Sequence, residues 1–80
     1  MTSKHTASKR KLIREMGSTD LEFLLIEIWN SFNKNIGLMI MNHPEVKLIQ
    51  DCYRQLTGNN IFLNISEEFT TSYKSTISEL

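Results

Sequence analysis

The sequence predicts a mainly α-helical fold: about three helices behind a basic N-terminal arm, with two short extended segments around the second helix. Three observations carry that expectation. Leu21, Leu24, Leu25, Ile28, Trp29, Phe32 and Ile36 recur at spacings of three and four, the period of one helical face. Val46, Ile49, Tyr53 and Leu56 repeat the pattern and stop before Gly58, the residue type that most readily turns left-handed after a helix. Phe69, Tyr73, Ile77 and Leu80 form a third stripe, preceded by polar residues suited to a cap.

Taken in order, residues 1–17 ("MTSKHTASKRKLIREMG") hold few apolar side chains. They are expected to form a flexible basic arm, helical over 8–16 and ended by Gly17, ahead of a single helical domain over 18–80. In "GSTD", Ser18 or Thr19 is the expected N-cap, with Asp20 and Glu22 in the first turn facing the positive end of the helix dipole. The end of this helix stays open, because "NKNIG" forms helix poorly and Gly37 either stops or bends it. "LMIM" (38–41) fits a last buried turn or a short strand. Asn42 and Glu45 then have the spacing of a capping box, and Pro44 suits a first turn. Leu48 and Cys52 widen the second stripe. "IFLNI" (61–65) has strand composition, and Asn64 or Ser66 can cap the last helix with Glu67 and Glu68 behind it. That helix is rich in Ser and Thr and depends on packing for its stability.

Composition bounds the function classes. Eighty residues make one domain at most, and 40% hydrophobic with 22% charged residues is a globular balance. One cysteine, Cys52, forms no internal disulfide, which favours a reducing, cytoplasmic setting. Apolar runs are too short for a bilayer, so no membrane association is expected, and no secretory signal is recognised. Net charge is zero but uneven: residues 1–16 carry five bases against Glu15, whereas residues 17–80 carry four bases against eight acids.

No catalytic, cofactor or metal residues are expected. His5, His43 and Cys52 lack the close spacing of a metal site. His43, beside Pro44, reads as a helix-start residue, and Cys52 on the apolar face reads as a small core residue. The three glycines stand apart and form no phosphate loop. Asn64-Ile65-Ser66 matches a glycosylation acceptor, a pattern without meaning unless the chain is secreted. No small-molecule substrate is expected.

Two binding readings remain. In the first helix, Phe23 lies near the side opposite the apolar arc and Ile26 lies past its edge, so a second surface needs cover. With Met39 and Met41, these form the candidate contact residues for a protein partner or a second copy of the chain. The function expected is non-enzymatic association, as a homodimer, adaptor or inhibitor-like regulator. The second reading is nucleic-acid regulation through Lys9, Arg10, Lys11 and Arg14 on the arm, with Lys74 on the last helix. "ISEEFTTSYKSTISEL" has the outline of a helix-turn-helix, although Thr70 stands where a turn glycine is usual.

"MGSTDLEFLLIEIWNSFNKNI" followed by "NHPEV" resembles the middle of an acyl or peptidyl carrier protein, where a Gly-containing turn precedes a long helix. In that family a serine before the helix-opening leucine holds the phosphopantetheine arm. Here Asp20 precedes Leu21, and an aspartate cannot form that phosphodiester. The resemblance covers about half the chain and implies no cofactor.

Overall fold

A computed structural model describes residues 10–78; the expectations for Lys9 and Leu80 lie outside that range. Five α-helices and one 3-10 turn follow in order: α1 (described over 10–15), α2 (Ser18–Ser31), α3 (Ile36–Asn42), α4 (Glu45–Thr57), a 3-10 turn (Ile61–Leu63) and α5 (Glu67–Ser78). The mainly α class holds, but five α-helices stand where about three were expected, and the two expected extended segments are absent among the described residues. Residues 38–41 fall inside α3 and 61–63 form the 3-10 turn. A four- or five-residue apolar run has no period to distinguish strand from buried helix.

The first stripe is split. α2 ends at Ser31, and Asn33 and Lys34 turn left-handed at φ 54° and 59°. Asn tolerates that conformation, whereas Lys does so at a cost of roughly 1–2 kcal/mol. The Lys34 N–H donates to the Trp29 carbonyl at 2.9 Å, closing the helix end. Asn35 then restarts the chain, its side-chain oxygen accepting from the Leu38 N–H at 3.0 Å. Gly37, expected either to stop or to bend the first helix, lies instead in the first turn of α3.

Caps follow chemistry more than the expected residues. Gly17, extended at ψ 170°, precedes α2 without a side-chain cap, so neither Ser18 nor Thr19 serves. Asn42 makes no capping box with Glu45; its amide donates back to the Leu38 carbonyl at 2.9 Å. Gly58 does close α4, at φ 76°. Ser66 caps α5, its hydroxyl accepting from the Phe69 N–H at 3.2 Å. α5 runs unbroken through Thr70 and Thr71, so the expected helix-turn-helix is absent from residues 65–78.

The core sits where α2 crosses α4 and where α5 covers the 3-10 turn and α3. α2 supplies Leu21, Leu25, Ile28 and Trp29, α4 supplies Val46, Ile49 and Tyr53, and Phe69 comes from α5. Aromatic rings close one end. Trp29 meets Phe69 edge-on at 4.8 Å between centroids, and Phe69 stacks on Phe62 at 5.7 Å. The buried Trp29 Nε1 has no acceptor, a cost of about 1–3 kcal/mol that the surrounding packing offsets. From residue 10 the basic arm is a docked helix, not a loose extension: Ile13 enters the core at 2% exposure. No helix among the described residues is long and apolar enough to cross a membrane.

Candidate functional site

Docking of α1 through Ile13 leaves a seam beside it. Leu12 on α1 and Met16, in the turn that closes it, form one apolar edge of that seam. Across from them Leu24 and Ile28, one turn apart, form the wall offered by α2. His43 and Glu45, at the α3–α4 turn, close one end. These side chains and Ile13 enclose a groove of about 240 Å³. Leu12 is 59% exposed, so one wall stands largely in solvent.

At the polar end, His43 Nδ1 lies 2.8 Å from Glu45 Oε2 without making a hydrogen bond. The Phe32 ring meets the imidazole edge-on, with centroids 6.2 Å apart. His43 also borders a second groove, of about 490 Å³, lined by Ile40, Pro44, Val46, Phe62 and Tyr73 among others. Apolar surface therefore continues on both sides of the imidazole.

A third, open cleft of about 840 Å³ lies between the α2–α3 turn and the hydroxyl-bearing face of α5, including Thr71, Ser72 and Ser75. Lys34 spans it to Glu68 at 3.2 Å and lies 5.5 Å from the Trp29 ring centroid. Both charged groups of that pair are more than half exposed, so it adds little stability.

Of the residues expected to form a contact surface, Phe23 and Ile26 lie one turn apart on α2, and Met39 and Met41 lie on α3. Phe23 is 66% exposed on the outer face of α2, with exposed Thr19 and Glu27 one turn away on either side. Ile26 is half-buried. Met39 is fully buried, which corrects its place among the contact residues: the break after α2 lets α3 turn Ile36 and Met39 inward. Met41 points outward at 82% exposure, with Leu38 one turn before it. Arg10, Lys11 and Arg14 are exposed on α1, and Lys74 is exposed on α5. Arg14 lines a different cleft, against Leu48, Asp51, Cys52 and Leu56 of α4. Lys74 lines none of the clefts described above. Leu12, Met16 and His43 were absent from the expected site; the i, i+4 spacing of Leu12 and Met16 beside Ile13 is a signal for those two, whereas His43 is brought there only by the fold.

A polar tie fixes the opposite side of α4. The Tyr53 hydroxyl donates to Glu22 at 2.9 Å and accepts from the Asn64 amide at 3.1 Å, joining α4 to α2 and to the end of the 3-10 turn. Burial raises the phenol pKa above its usual 10.0, the Glu22 carboxylate raises it further, and the hydrogen bond from Asn64 opposes both. A raised pKa in the folded state means stability fully present below the ordinary tyrosine value and lost as pH rises through the folded one. Tyr53→Phe should cost about 1 kcal/mol at neutral pH. It should also flatten the fall in urea midpoint between neutral and strongly alkaline pH; an unchanged alkaline slope would contradict this role. The Asn64 amide is thus engaged in the fold, and Ser66 of the same acceptor pattern caps α5.

The chain matches no protein-family model, and neither the curated proteins nor the solved structures give a significant match.

Proposed function

We propose that this chain is a non-enzymatic helical module that acts by binding a protein, and that it docks its partner in the groove between α1, α2 and the α3–α4 turn. The observation that supports this reading is the groove's lining: Leu12, Met16 and Leu24 offer adjoining apolar surface around the nearly buried Ile28. A space of about 240 Å³ is smaller than the roughly 300–1,000 Å³ typical of small-molecule sites. It suits one or two aliphatic side chains of a partner helix, the usual way a helix seats itself in a groove. Phe23 and Met41 lie outside it and act, in this reading, as scattered surface residues. Cys52, unpaired in the chain, suits a reducing cytoplasm.

Selection from a displayed random-peptide library, with the wild-type chain and Leu12→Glu as baits, tests the proposal. Leu12 is largely exposed, so the variant keeps the fold, and its far-UV spectrum verifies that. Burying a leucine is worth roughly 1.5–3 kcal/mol, so selected peptides should bind the variant more than about tenfold more weakly. An absence of enriched peptides, or equal binding to both baits, would contradict the proposal.

A further inference from the structure

Resting on that docking site, we infer that the partner segment is cationic: an amphipathic helix whose apolar anchors are flanked by lysine or arginine. The inference comes from the groove's rim. On α2, Asp20 and Glu27 lie four residues before and three after Leu24, so both border the wall that Leu24 forms. On α1, Glu15 lies three residues after Leu12 and borders the other wall. Glu45 closes the end. Asp20, Glu27 and Glu15 are exposed, and the Glu45 side chain keeps 14% of its surface.

The nearby bases of α1 do not balance them. Arg10 and Arg14, one turn apart, share the opposite flank of α1, where Arg14 faces the α4 cleft with Asp51. Lys11, one turn before Glu15, offsets that single carboxylate. Among the described residues, the rim is thus four carboxylates against Lys11, with the His43 imidazole at one end. A second copy docking groove to groove about a two-fold axis would bring these acidic rims together. A partner with cations on both sides of its anchors meets complementary charge instead, which also speeds encounter.

The test uses two synthetic helical peptides with identical leucine anchors, one flanked by lysines and the other by glutamates, titrated against the full chain. Exposed ion pairs are individually weak, so three or four together should give the lysine peptide about a tenfold preference at low salt. That preference should shrink at about 0.5 M salt, where the Debye length is only a few ångströms. An Asp20→Asn, Glu27→Gln double variant, changed at exposed positions, should lose most of the preference and keep the apolar docking.

Equal affinity for both peptides, abolished by Leu12→Glu, would overturn the charge inference and leave the docking proposal standing. Binding of neither peptide, with no enrichment in the library selection, would overturn both. A wild-type dimer in sedimentation that Leu12→Glu converts to monomer would assign the groove to a second copy and overturn the inference.

Discussion

Phe69→Ala should lower the unfolding free energy by about 3–5 kcal/mol, the range for removing a buried aromatic ring. A chain of this length has roughly 4–12 kcal/mol to lose, so the variant should be marginal or unfolded. The effect is large because Phe69 is fully enclosed and is the residue of α5 that is buried outright. Its ring contacts both Trp29 and Phe62. Removing it leaves α5 held by Tyr73, the hydroxyl contact from Thr70 to the Phe62 carbonyl at 3.1 Å, and the exposed Lys34–Glu68 pair. Trp29 is the one tryptophan, so its fluorescence during urea unfolding reports this contact directly. A loss below about 1 kcal/mol would mean that α5 does not close the core as described.

The second large effect concerns α1. Ile13→Ala should cost about 2–5 kcal/mol if the loss is felt by the whole fold. The lower end is expected, because α1 joins the body through Met16 and Gly17 and can detach while α2, α4 and α5 stay packed. Amide exchange separates the two outcomes: protection over residues 10–16 should fall to that of an open chain, with α2 and α4 retaining theirs. Since α1 forms one wall of the groove, the same variant should also lose peptide binding. Unchanged protection of α1 would show that something other than Ile13 holds it.

What could be read from the residues divides along physical lines. Periodic stripes longer than two turns were legible: Leu21, Leu25, Ile28 and Trp29 on α2, and Val46, Ile49 and Tyr53 on α4, are core residues. Gly58 was legible because a left-handed closing residue selects glycine. The break at 32–35 was hidden, since Phe32 and Ile36 keep helical spacing across it while Asn33 and Lys34 turn left-handed between them. That break reorients α3, and with it Met39 moved from expected surface to core. The groove was hidden for a different reason. It exists because α1 docks through Ile13 with Leu12 and Met16 beside it, and three apolar residues amid Arg10, Lys11, Arg14 and Glu15 make too short a stripe to read as a periodic face.

Methyl-resolved NMR of the full chain titrated with the lysine-flanked peptide tests the central claim most directly. The account predicts that the perturbed methyl groups are those of Leu12, Met16, Leu24 and Ile28, with Met41 at its free-state position. Perturbations centred on Met41 and Ile26, with the groove methyls unmoved, would contradict it.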